Sequence, residues 1–309
     1  MTDIPFNKAF EPRYGECVSV APGVRRVVAE NPGPFTFYGT GTYILGAGHV
    51  AVIDPGPDLP AHIAALDAAL EGEVVEAILI THTHRDHVPA ARPFQALRGG
   101  SAAVPIYGFG PHGGDTALEG GVHVEEGADH GFDPDVRLGD GDIVSGTGWS
   151  VEAVHTPGHT SNHLCFSYRE AAAPEGALFS GDHVMGWSTS VISPPDGDMA
   201  AYLASLETLR DRAEDRYYPT HGAPIESARD FVGRFIAHRL NRETQVLNAL
   251  ADGAATIPEM VRRLYPDLPA ALTPAAGRSV LAHLVKLADE GRIASADGAA
   301  SARARYRLL

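Results

Sequence analysis

Between residues 82 and 87 the chain carries four side chains of metal-ligand type within six positions: His82, His84, Asp86 and His87, in the run Thr81-His-Thr-His-Arg-Asp-His87. The run follows directly on Val75 to Ile80, a short apolar stretch that reads as a buried strand. Polar residues at the end of a buried strand sit where α/β folds place their chemistry. In a tight loop after a strand, alternate positions point the same way. His82 and His84 can therefore grip one cation, and Asp86 and His87 a neighbour. Zinc accepts His nitrogen and carboxylate oxygen at ~2.0–2.2 Å. Two cations ~3.5–4 Å apart can share one water and make it a nucleophile at neutral pH. A lone His would more often be a surface or core residue. Chance is a poor account of this density when the chain has 15 His among 309 residues.

One loop offers too few ligands for such a pair, and the rest of the chain supplies candidates in the same setting. Val151 to Val154 reads as a strand that ends at His155-Thr-Pro-Gly-His-Thr160. Ala177 to Phe179 ends at Ser180-Gly-Asp182, and Tyr217-Tyr218 ends at Pro219-Thr-His221. His159, Asp182 and His221 thus each follow a strand, beside Gly or in a Pro/Gly turn, and can converge on one edge of stacked sheets. A carboxylate such as Asp182 can bridge two cations.

Strands and helices alternate through the first half, as expected of an α/β fold. Thr42 to Leu45 and His49 to Asp54 read as strands joined by a Gly turn, and 60 to 70 as a helix with Ile63, Leu66 and Leu70 on one face. Asp198 is a candidate N-cap for a helix carrying Met199, Leu203, Leu206 and Leu209. From about residue 226 the pattern turns helical. It predicts one helix over 227 to 250, a second opened by the capping-box pattern Thr256-Ile-Pro-Glu259, and a third started by Thr273-Pro274. Arg292 to Ser295 and Arg305 to Leu308 look like a closing hairpin around Asp297-Gly298. Two short helices and a hairpin make a winged-helix-like unit, which divides the chain into 1–240 and 241–309, about the number of domains its length allows. Residues 109 to 134, rich in Gly, His, Asp and Glu, read as an irregular insertion.

The formal net charge is −15, which weighs against whole-surface binding of polyanions. Residues 242 to 309 depart from this, with nine Lys or Arg against seven Asp or Glu. Arg303, Arg305 and Arg307 alternate, so a phosphate-contacting strip on the last strand is one expectation and a solvated or partner-docking hairpin the other. Cys17 and Cys165 are far apart and form no metal-type pair. The first residues show no signal-peptide pattern, and no apolar run reaches the ~20 residues that span a bilayer. A cytoplasmic, reducing setting without a membrane is the expectation.

The four motifs together resemble the metallo-β-lactamase superfamily, in order and spacing, across residues 36 to 225. The resemblance implies an αββα sandwich. It also implies a first metal on His82, His84 and His159, a second on Asp86, His87 and His221, and Asp182 as the bridge. Aspartate where lactamases use Cys looks like the glyoxalase II and hydrolase branch, and an antibiotic-destroying activity, which usually needs export, is disfavoured. Asn31-Pro-Gly-Pro-Phe, Gly39-Thr-Gly-Thr-Tyr43, the region around His238-Arg-Leu-Asn-Arg242 and the C-terminal tail resemble the beta-lactamase-like protein 2 family. Its animal member is a single-strand-specific endoribonuclease, and its relatives include thioesterases that unload acyl carrier proteins. Gly41, where the family often has Asn, and Pro89-Ala90, where it often has Gly-Gly, depart from the pattern at places expected to border the mouth of the site.

Asp86 is also the candidate catalytic carboxylate, orienting the nucleophile or taking its proton. His155 and His163 are expected to hydrogen-bond a ligand or pack a strand, while His183 and Trp187 are candidates for the pocket wall. His112, His123 and His130 fall in the insertion, where one of them could gate the site. Zn2+ is the expected metal, with Mn2+ or Fe accepted by the same ligands. Three functions follow: a dinuclear hydrolase of an ester, thioester or lactone, small or carried on an acyl carrier; a metal-dependent endoribonuclease holding RNA on its C-terminal unit; or a non-catalytic nucleic-acid or partner-binding protein, against which the complete ligand set argues.

Overall fold

A computed structural model describes residues 4–99, 103–113, 127–170, 173–253, 255–296 and 298–309. Among them, the first sheet contains, in spatial order, β1 (Val18–Ala21), β2 (Val24–Val28), β3 (Gly41–Ala47), β4 (His49–Ile53), β5 (Val74–Leu79), β6 (Ile106–Gly108) and β7 (Val136–Arg137). It is antiparallel from β1 to β4 and parallel from β4 to β7. The second sheet holds β8 (Ile143–Gly146), β9 (Trp149–His155), β10 (Leu164–Glu170), β11 (Ala173–Gly181), β12 (Arg216–Pro219) and β13 (Ile225–Glu226), neighbours in that order.

Strand alternation explains the layering. Tyr43, Leu45, Ala51 and Ile53 face the second sheet's Val151, Phe166, Phe179 and Tyr218 in one core. Their sequence neighbours Ile44, Val50 and Val52 join Leu66, Leu70 and Phe94, which lie on or at the ends of the outer helices α1 (Pro60–Ala69) and α2 (Ala91–Arg98). Both faces are buried, so these strands read as apolar runs without a polar side. The second sheet's outer face packs on α3 (Met199–Arg210) and α4 (Ala228–Ala251) through Leu206, Leu209, Phe231 and Phe235. Asp198 caps α3 as expected, accepting from the amides of Ala200 (2.7 Å) and Ala201 (2.9 Å). The result is the expected αββα sandwich.

The C-terminal unit has its own core. Val246 and Leu250 of α4 pack with Met260 of α5 (Ile257–Leu264), Leu284 and Leu287 of α6 (Thr273–Asp289), and Ile293 and Tyr306 of the hairpin β14 (Ile293–Ser295) and β15 (Tyr306–Leu308). Helix α4 therefore belongs to two cores at once. The hairpin differs from its sequence reading. Residues 296–305 separate the strands, and Asp297 lies outside the described residues. The Tyr306 hydroxyl donates to the Ser301 carbonyl and accepts from its amide, folding the connection back on the strand. Arg303 consequently sits in a turn before β15, although Arg303, Arg305 and Arg307 are all exposed.

Backbone bonds tie the segments after the carboxyl ends of β5 and β12 to the amino ends of β10 and β3. The Leu164 amide donates to the Thr81 carbonyl at 2.7 Å, and the Gly41 amide to the Thr220 carbonyl at 2.9 Å. All four ligand motifs lie along this edge.

Candidate metal centre

The ligand loops owe their positions to the packing behind them. In the turn after β9, Gly158 has φ +138°, and a Cβ there would lie 2.4 Å from the Tyr202 backbone. Only glycine lets this turn close on α3 and bring His159 to the edge. Gly41 serves a different need. A Cβ would meet Arg26 and the Thr220 carbonyl at 3.0 Å, and the space it leaves lets Arg26 donate to the Gly222 carbonyl at 2.9 Å, next to His221. Of the two departures from the family pattern, Gly41 and Ala90 are buried and Pro89 is half-buried.

The seven candidate ligands come together. His82 Nε2 lies 2.9 Å from His84 Nδ1, which lies 3.2 Å from His159 Nε2. His87 Nε2 and His221 Nε2 each lie 3.2 Å from Asp86 Oδ2. Asp182 Oδ2 stands between the groups, 3.4 Å from His221 Nε2, 3.6 Å from His87 Nε2 and 4.0 Å from His159 Nε2. Three sets of converging atoms can each hold a cation: His82, His84 and His159; His82, His87 and Asp182; Asp86, His87 and His221.

The outer ring nitrogens say which inner ones carry lone pairs. His159 Nδ1 donates to the Val191 carbonyl (2.6 Å), His221 Nδ1 to the Gly39 carbonyl (3.0 Å), and His87 Nδ1 to Asp54 Oδ2 (2.9 Å). The Thr81 hydroxyl donates to Asp54 (2.7 Å) and so can only accept from His82 Nδ1 (3.0 Å). Each donation leaves the inward Nε2 free to bind a cation. His87 Nε2 and Asp182 Oδ1 are buried without a hydrogen-bond partner. Crowded lone pairs, two carboxylates and orphaned buried atoms are chemically suited to divalent cations.

The electrostatics agree. Burial opposes charge on His87 and His221, yet the carboxylates of Asp86 and Asp182 outweigh it. His87 is held well above the ordinary imidazole range, helped by Asp54, and His221 is pushed up to about 10. Asp86 and Asp182 stay well below the usual carboxylate range despite burial, because His87 and His221 face them. Burial and neighbouring imidazoles drive His82 and His84 the other way, well below the ordinary range. Protons on His87 and His221 thus balance the carboxylates wherever cations do not.

Asp54 escaped the sequence reading. It is 1% exposed and sits at φ +48°, a region an L-residue rarely adopts. Its carboxylate orients two candidate ligands, His87 directly and His82 through Thr81. The available signal was an Asp before Pro-Gly at the end of a buried strand. Thr40 was also missed; its hydroxyl donates to Asp86 Oδ2 at 2.9 Å.

The remaining candidates separate. His163 lies behind the cluster, its Nε2 accepting from the Asp182 amide at 3.2 Å and its ring 5.1 Å from that of His82. His155 stacks on Phe109 at 4.1 Å, away from the ligands. Trp187 lines a cleft that opens beside His159 and Asp182, and its ring stacks on Phe37 at 4.6 Å. His183 departs from its pocket-wall expectation: it is fully buried against Tyr202, 4.5 Å between rings, because α3 packs over it. His112 lies near the centre, 6.1 Å from the His84 ring and 5.0 Å from that of His130, with Nε2 3.4 Å from Asp196. His123 is outside the described residues.

Comparison with known proteins gives the same picture. Residues 36–221 match the metallo-beta-lactamase superfamily, and residues 256–301 the beta-lactamase associated winged helix domain. The beta-lactamase-like protein 2 homolog of Caenorhabditis elegans is 32% identical over 87% of this chain and 85% of its own length. The atrochrysone carboxyl ACP thioesterase of Aspergillus chevalieri is 32% identical over 89% of this chain and 84% of its own. The crystal structure of a beta-lactamase domain protein from Burkholderia ambifaria superposes with a TM-score of 0.76 over 99% of this chain and 97% of that one, at 24% identity, which shows a shared fold. The chain belongs to the metallo-beta-lactamase superfamily, as a hydrolase of mixed α/β fold with a C-terminal winged helix domain.

Proposed function

We propose that the chain is a dinuclear metal-dependent hydrolase of acyl thioesters or related esters, with an acyl-carrier or small-molecule substrate. The observation that carries this reading is Asp182 Oδ2 standing between two groups of inward lone pairs. His82, His84 and His159 would hold one divalent cation and Asp86, His87 and His221 the other, with Asp182 touching both. Such a pair supplies an acidified water and positive charge beside a carbonyl oxygen. Zn2+ is the expected metal; the nitrogen and oxygen donors also suit Mn2+ or Fe.

The chain's own part is orientation and proton handling. Asp86, fixed by the Thr40 hydroxyl and with its side chain 13% exposed, can accept a hydrogen of the attacking water. The water oxygen bonds to the carbonyl carbon, the carbon–sulfur bond breaks, and the thiol leaves with a proton. The likeness to fungal acyl-carrier thioesterases supports this substrate class. Residues 1–240 would form the hydrolytic unit and 241–309 the winged-helix-like unit. Cys17 and Cys165 are free thiols, compatible with action in a reducing cytoplasm, and no described helix is long and apolar enough to cross a membrane.

A second reading, RNA cleavage, is favoured by the exposed Arg305 and Arg307; the net charge of −15 opposes it. One experiment separates them. The purified protein is assayed for bound metal and for hydrolysis of acyl thioesters and single-stranded RNA, before and after chelation. Two equivalents of metal with chelator-sensitive thioester turnover is the expected result. Less than one equivalent, or cleavage of RNA alone, overturns the proposal.

A further inference from the structure

The cleft beside the metal centre has a volume of about 330 Å³, in the range that holds small ligands. One end is formed by His159 and Asp182. The facing wall comes from α4, with His238, Arg239 and Arg242, and from Tyr265 and Ser279 of the C-terminal unit.

The two guanidinium groups on this wall have no acidic partner among the described residues, and His238, pushed down to about 4 by burial and by Arg239 and Arg242, stands beside them as a neutral ring. Arg239 is 2% exposed. It donates to the Ser190 carbonyl, and its guanidinium lies 5.2 Å from the Tyr202 ring. Its Nε is buried without a hydrogen-bond partner, as is His238 Nδ1. Arg242 lies 4.2 Å over the Tyr265 ring, with Nη1 donating to Gln245 at 2.6 Å. Among the described residues, no carboxylate comes within ion-pairing distance of Arg239, Arg242 or His238, although Arg25, Arg98, Arg212 and Lys286 all have acidic partners. Leaving a buried guanidinium without a carboxylate partner is costly. Arg239 also holds the carbonyl of Ser190, the residue before Val191, whose carbonyl orients His159. The cationic wall and the metal centre are therefore two ends of one enclosure.

We propose that Arg239, Arg242 and His238 form a recognition site for an anionic oxygen group, carboxylate or phosphate, carried by the substrate away from the bond that is cut. The inference rests on the hydrolase reading above and narrows its substrate class. Arg242 supplies the accessible guanidinium, Arg239 the buried charge behind it, and Tyr265 a flat apolar face on which the adjoining chain can lie. The winged helix domain thereby contributes a wall of the substrate site. The anion could sit on the acyl side or on the thiol side of the bond.

The test compares three thioesters: S-butyryl-N-acetylcysteamine, which is neutral; S-glutaryl-N-acetylcysteamine, with a carboxylate on the acyl side; and S-butyryl-4′-phosphopantetheine, with a phosphate on the thiol side. At least one anionic substrate is expected to show kcat/KM tenfold or more above the neutral one. That preference should fall to within threefold in Arg242→Gln and be largely kept in Arg242→Lys. Ser279→Glu, which sets a carboxylate against the wall from the other domain, should reduce it as well. Calorimetry of glutarate against butyrate, and of 4′-phosphopantetheine against pantetheine, reads the same site without turnover. The preferred anion should bind tenfold more weakly to Arg242→Gln. No anionic preference in either assay, or a preference unchanged in both Arg242→Gln and Ser279→Glu, overturns the inference. Absence of thioester turnover with the binding preference intact instead condemns the thioester reading and leaves the anion site standing.

Discussion

The two ends of the cleft solve opposite electrostatic problems. At the metal end, lone pairs and carboxylates crowd inward, and nearly every ligand is held from behind: His87 by Asp54, His82 by Thr81, His159 by the Val191 carbonyl, His221 by that of Gly39. At the α4 end, guanidinium groups line the same space with no carboxylate, among the described residues, within ion-pairing distance of them. On the proposed reading, one end would receive cations that stay, the other an anion that arrives and leaves. Most candidate ligands are braced through their outer atoms, and both ends keep buried atoms without a partner, His87 Nε2 and Asp182 Oδ1 at the first. Arg239 and His238 each retain a buried nitrogen without a partner.

Breaking the metal end should have the largest effect. Asp182→Asn removes the charge shared between both ligand groups; kcat should fall by about 10³-fold, and metal analysis should return fewer than two equivalents. Retention of both metals and of turnover would show that Asp182 does not bridge. Asp54→Asn keeps the size and tolerates the positive φ, yet spoils one of the contacts to His87 and Thr81. Competition against a chelator should show metal affinity reduced by roughly 10–100-fold, beside a loss of about 1–3 kcal/mol of stability in the metal-free protein from the spoiled buried contact. An unaltered affinity would mean that the bracing is ornamental.

The cationic end can be sharpened through pH. His283, behind the wall, is pushed down to about 3 by burial and by Arg239, Arg242 and Lys286. Its folded pKa lies below the unfolded value, so its contribution to stability is present above about pH 6.5 and is lost as pH falls toward 3. Denaturant unfolding should therefore show the native protein losing up to about 1.4 kcal/mol per pH unit more than His283→Leu between pH 6 and 4. Parallel slopes would place the wall in a more solvated setting than the structure gives it. The smallest effect belongs to the scaffold: Asp198→Ala, which uncaps α3, should cost about 1 kcal/mol of stability and leave metal content alone, measured by thermal melting and metal analysis.

The difference between the two ends also explains what the sequence disclosed. His82, His84, Asp86 and His87 were legible because four ligand types crowd one strand end, and the apolar runs before His159, Asp182 and His221 showed where those residues would gather. The sandwich followed from the same strands, and α5 from its Thr256-to-Glu259 signature. Asp54 stayed hidden because a lone Asp before Pro-Gly looks like any turn residue; its role arises from a backbone conformation that composition does not encode. Arg239 and Arg242 stood out only as part of a family resemblance, and their role was hidden for the converse reason. Arginines in a long amphipathic helix usually pair with acidic neighbours on the surface, and only the packing of two cores on one helix turns these inward. The loop before β15 was misjudged because Asp-Gly suggested a tight turn, whereas Tyr306 holds a longer excursion in place.

Helix α4 runs unbroken from Phe231 in one core to Leu250 in the other, with no proline along its 24 residues. A hinge between the two cores would have to rupture consecutive backbone hydrogen bonds in its middle turns, where Arg239 and Arg242 stand. The spacing between the cation-holding edge and the arginine face is thus set by a rigid rod. A substrate in the cleft, which Phe35, Trp187 and Leu272 also line, would then be selected by its width and by the reach of its charge.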